Sequence, residues 1–83
     1  MQITCRIAYP GHPHAVQYHF VVGKPSPVTV VEQSMHMLYI ERSDGFQLKA
    51  YGFDLLDVYE SALMVIRCNI EGIAGKVGVV SWD

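Results

Sequence analysis

The sequence predicts an α+β domain: an antiparallel β-sheet of four to five strands with one α-helix packed on one face. Three observations carry this. Runs of two-residue alternation recur between Ile3 and Tyr51, the mark of half-buried strands. From Leu55 to Ile70 the apolar period changes to that of a helix. A short apolar run, Val77 to Trp82, follows the helix. A helix with one oily stripe must bury it, and an antiparallel sheet offers a matching face.

The first strand spans Ile3 to Tyr9, with Ile3, Cys5, Ile7 and Tyr9 on one face and Thr4, Arg6 and Ala8 on the other. Pro10-Gly11 and Pro13 end it. The second covers Ala15 to Val22, where Val16, Tyr18, Phe20 and Val22 share a face opposed by Gln17 and His19. Gly23-Lys24-Pro25-Ser26-Pro27 reads as a loop, and Val28 to Val31 as either a short strand or an irregular approach to the next one. Met35 to Glu41 and Phe46 to Tyr51 form a hairpin about Arg42-Ser43-Asp44-Gly45, since Gly accepts the positive φ of a tight turn.

The helix has the clearest boundary. Asp54 is the expected N-cap and Asp57 occupies the capping-box position, with both carboxylates near the positive end of the helix dipole. Steps of 100° place Leu55, Tyr59, Ala62, Leu63, Ile66 and Ile70 on one stripe, and Gly72 is the expected terminator. Gly78 weakens the final strand.

Composition sets the function classes. The chain has 83 residues, so a single domain spanning 1–83 is expected. It is 51 % hydrophobic and 17 % charged, which excludes disorder and leaves an apolar surplus for a partner or a second copy to cover. Net charge is −2, and Arg6, Lys24, Arg42, Lys49, Arg67 and Lys76 are dispersed, so nucleic acid is not expected as a partner. The N-terminus lacks the pattern of a secretory signal and the helical segment is too charged to cross a membrane, so a cytoplasmic protein with reduced thiols is expected.

Chemistry-bearing residues form no recognised constellation. His12 and His14 flank Pro13 in a loop, while His19 and His36 fall on strands, and metal ligation needs three or four converging donors. Cys5 shares a face with Ile3 and Ile7 and reads as a small buried hydrophobe. Gly72, Gly75 and Gly78 follow a helix, whereas phosphate-cradling glycines precede one. Asp54 and Asp57 have a capping role, and Glu60 and Glu71 lie on the outer helix face. No catalytic residue, metal ligand or cofactor is therefore assigned.

The residues singled out for partner contact are Met64 and Cys68, flanked by Ser61 and Val65 on the outward helix face, and Trp82 in the last strand. Exposed sheet edges at Ile3–Tyr9 or Val77–Trp82 would also permit strand addition between copies, giving a homodimer. The expected function is a small non-catalytic protein-interaction or regulatory module, of accessory or immunity type. The alternative is a small-ligand binder or minor enzyme with a helix–sheet pocket lined by Tyr18, His19, His36 and Tyr39.

Asp44-Gly45, then Ala50 to Leu56 and Ser61 to Arg67, resemble small uncharacterised bacterial proteins in which a β-meander ends in a Gly-x-Asp turn that caps a C-terminal helix. The resemblance covers about a third of the chain and implies the fold and a bacterial origin; that family has no function to transfer. The strand after Gly72 and the proline-rich loops before Val28 depart from its pattern.

Overall fold

The computed structural model describes residues 1–83 and has the expected class, with six antiparallel strands in one curled sheet and one helix. In chain order these are β1 Gln2–Ala8, β2 Val16–Val22, β3 Ser26–Val30, β4 Gln33–Arg42, β5 Gln47–Gly52, α1 Leu55–Ala74 and β6 Val79–Trp82. β4 pairs β5 on one side and both β2 and β3 on the other; β1 pairs β2, and β6 pairs β1.

The sixth strand comes from Ser26–Val30, whose proline-rich start reads as loop in the sequence. β2 and β3 form one broken strand along β4. Val22 opposes Ile40, the Gly23 amide donates to Tyr39 O at 2.9 Å, and Ser26 then opposes Met37. One more residue is used on this side than on β4, so the chain bulges at Lys24-Pro25 and the strand bends. A Cβ at Gly23 would lie 3.1 Å from Tyr39 O, which favours glycine at the bulge. β3 then turns directly into β4 through Val31 and Glu32, which have φ of 47° and 64°. Two successive positive φ values mark the turn that matches strand twist, normally built from Asn-Gly. The absence of those residues hid this hairpin.

The β3–β4 hairpin reaches past the rest of the sheet. The molecule measures 50 × 21 × 20 Å, and its radius of gyration of 14.5 Å exceeds the about 12 Å usual at this length.

The core lies between α1 and one sheet face. Cys5, Ile7, Phe20, Val22, Leu38, Ile40 and Ala50 project from the strands against Val58, Ala62, Ile66, Ile70 and Ala74 of the helix. The buried helical stripe differs from the expected one. Ala62, Ile66 and Ile70 are buried as foreseen and Tyr59 is half-buried, but Leu55 and Leu63 are 56 % and 48 % exposed, and Val58 and Ala74 take their place. The helix seats where the sheet lets its backbone approach. A Cβ on Gly52 would stand 2.2 Å from the Val58 nitrogen, and one on Gly78 would stand 2.7 Å from Ala74 O. Close approach thus selects the row of Val58, Ala62 and Ala74 over the bulkier leucines.

The helix start matches expectation. The Asp54 side chain accepts from the Asp57 amide at 2.7 Å, and Asp57 Oδ2 accepts from the Phe53 amide at 2.8 Å. The helix end does not match. It runs through Gly72 to Ala74 and stops at Gly75, whose φ is 65° and whose amide donates to Glu71 O. Tyr9 Oη donates to Ile73 O at 3.2 Å, tying this last turn to the end of β1.

Candidate functional site

Packing α1 by its Val58–Ala74 row leaves the two flanks of the helix facing different ends of the sheet. On the β5 side, Ser61, Met64, Val65, Cys68 and Asn69 rise along one flank and meet Leu48 of β5. Together they line a groove of about 600 Å³. Leu48 and Val65 form its half-buried floor, continuous with the core. Met64, 67 % exposed, and the exposed Cys68 form its rim. The lining is neutral, with the Ser61 hydroxyl and the Asn69 amide as its polar groups.

Arg42 closes one end. Its Nη1 donates to Asn69 Oδ1 at 2.9 Å, while Nε and Nη2 grip Asp44 at 2.7 and 2.6 Å in a two-point ion pair. The guanidinium carbon lies 4.7 Å from the Phe46 ring centre and 5.3 Å from that of Tyr18. The hydrogen bonds to Asp44 raise the Arg42 pKa above its ordinary value, and the same bonds hold the Asp44 carboxyl below the usual carboxylate range. The arrangement orients Asn69 and braces the β4–β5 turn against the helix. Sequence reasoning read Arg42-Ser43-Asp44-Gly45 for its glycine alone; the Arg-x-Asp spacing is the signal that would have found this brace.

On the opposite flank, Leu63, Ile66 and Arg67 meet Ile3 of β1 and Trp82 of β6 around a notch of about 120 Å³. The Arg67 guanidinium carbon sits 6.0 Å from the Trp82 ring centre. Of the residues singled out in the sequence, Ser61, Met64, Val65 and Cys68 therefore share one groove, whereas Trp82 lies across the helix from them.

The pocket expected from Tyr18, His19, His36 and Tyr39 does not form, because alternation divides these residues between the two sheet faces. Tyr18 and His36 share the helix side with Phe20 and Leu38, and His19 and Tyr39 lie on the other side. His19 Nδ1 instead meets Thr4 Oγ1 at 2.8 Å on the open face. No three His, Cys, Asp or Glu residues are placed to hold a metal ion. Burial raises the Cys5 thiol pKa, so Cys5 stays protonated beneath the helix, while Cys68 is the exposed thiol.

The open sheet face is itself partly apolar, with Val21, Tyr39 and Tyr51 exposed across β2, β4 and β5. No helix is long and apolar enough to cross a membrane. No family model, curated protein or solved structure matches this chain.

Proposed function

We propose that this chain is a small non-catalytic protein-interaction module of accessory, regulatory or immunity type, working in the bacterial cytoplasm. Its working surface is the groove between α1 and β5. The supporting observation is the convergence of Leu48, Met64, Val65 and Cys68 around a neutral cleft of about 600 Å³ that opens to solvent. A partner that inserts apolar side chains there covers Met64 and gains most from the desolvated floor at Leu48 and Val65. The dispersed basic residues favour protein over nucleic acid.

The same groove supports a second reading, a small apolar ligand, because its volume falls in the range of about 300–1,000 Å³ typical of ligand sites. Affinity capture with the wild-type chain and with Met64→Asp separates the readings. The interaction reading expects a protein that co-purifies with wild type, is lost with Met64→Asp, and slows alkylation of Cys68 when bound. A bound small molecule, or no protein whose capture depends on Met64, overturns it.

A further inference from the structure

We propose that β6 is a self-pairing edge, through which two copies join their sheets antiparallel about a two-fold axis at Ser81. The proposal rests on the interaction reading but not on the groove, from which the helix separates it.

The sheet has three exposed edges, and they differ. In β3 the pairs Val28–Met35 and Val30–Gln33 flank a two-residue turn, so their groups bond β4 while those of Pro27 and Thr29 point outward. Pro27 has no N–H to offer, which blunts that edge. In β5 the Arg42 amide donates to Phe46 O, and the pairing register then directs Gln47, Lys49 and Tyr51 outward. Lys49 guards the middle of that edge.

β6 has neither device. The Asp83 amide donates to Thr4 O at 2.9 Å, so alternation points Val79, Ser81 and Asp83 at β1. Val80 and Trp82 thus present their N–H and C=O groups outward. The strand Val79-Val80-Ser81-Trp82 has no charge and no proline. Such an edge is a template for another strand.

The register follows from the same alternation. Outward groups must meet outward groups, so Val80 pairs with Trp82 of the second copy and Ser81 faces Ser81. This register uses every outward group of the strand. A shift toward Gly78 is disfavoured because its amide already donates to Ala74 O at 3.1 Å.

Charge agrees with this register. The two Asp83 residues, each two positions from the axis, fall about 14 Å apart at the usual rise per residue. Val80 and Trp82 lie on the helix side with Ile7 and Cys5, so the Trp82–Arg67 notch of each copy borders the seam.

The test is site-directed crosslinking in a Cys68→Ser background, with mass measured by sedimentation. Ser81→Cys places two thiols in a close, non-hydrogen-bonded cross-strand pair, a geometry that admits a disulfide. Val79→Cys lies on the same face but faces Asp83, with its own counterpart about 14 Å away. The expected result is a particle of twice the 9.3 kDa protomer mass. Ser81→Cys should crosslink at least ~10-fold faster than Val79→Cys. Val80→Pro, which removes an outward N–H and no bond to β1, should give a folded monomer by circular dichroism. Met64→Asp should leave crosslinking unchanged. A monomeric wild type overturns the proposal. So do equal crosslinking at the two positions, a folded Val80→Pro dimer, or a dimer abolished by Met64→Asp. If Val80→Pro unfolds, the two cysteine variants decide.

Discussion

Gly52 and Gly72 receive the same substitution with opposite expected signs. A Cβ at Gly52 would lie 2.2 Å from the Val58 nitrogen, 2.6 Å from its Cα and 2.7 Å from the Asp57 carbonyl carbon. Comfortable carbon contacts need about 3.5–4.0 Å, so β5 and the first turn of α1 must separate by more than about 1 Å. All three atoms are backbone and cannot rotate aside. Overpacking alone costs about 1–3 kcal/mol. Loosening the Asp54 cap adds about 1 kcal/mol, and partial exposure of Val58 adds about as much again. Gly52→Ala is therefore expected to cost about 3 kcal/mol or more. A chain this long has about 4–12 kcal/mol in total. The melting temperature should fall by about 12–24 °C. Gly72 is exposed inside α1 with nothing within 4 Å of an added Cβ. Gly72→Ala should gain about 0.5–1 kcal/mol from helix propensity. Thermal and urea denaturation followed by circular dichroism measure both. A Gly52→Ala chain melting within a few degrees of wild type would refute the close seating of α1 on β5.

Two further outcomes follow from the turns. The Arg42 hydrogen bonds hold the folded Asp44 carboxyl more acidic than its unfolded value of about 3.9, so its stabilisation is complete above that pH and fades as pH falls through the lower folded value. Urea midpoints at pH 5 and pH 3 should therefore drop more for wild type than for Asp44→Asn, and equal drops would refute the assignment. At the β3–β4 turn, Val31 is 89 % exposed at a positive φ that branched side chains tolerate poorly. Val31→Asn with Glu32→Gly should stabilise by about 1–2 kcal/mol, and an unchanged melting temperature would argue against this turn.

Much of the architecture was legible because it is written in local chemistry. Alternation marked β1, β2, β4 and β5; Gly45, at φ 91°, marked the β4–β5 turn; Asp54 and Asp57 marked the start of α1. The Val31–Glu32 turn was illegible, since neither residue signals a positive φ. The groove was half legible. Helical spacing alone groups Ser61, Met64, Val65 and Cys68, but Leu48 and the Arg42–Asn69 brace come from strands and turns distant in sequence.

By itself, the sequence determined the fold class, the order of elements apart from β3, and the outward placement of Met64 and Cys68, because strand period, helix period and capping act over a few residues. Tertiary structure alone decided which helical row faces the sheet, that Trp82 lies across the helix from the groove, and that of the two strands the sequence offered as edges β6 is one while β1 lies inside the sheet. Those outcomes depend on how closely backbones approach at Gly52 and Gly78, and on which strand pairs with which. Steric fit between distant segments has no local period from which it can be read.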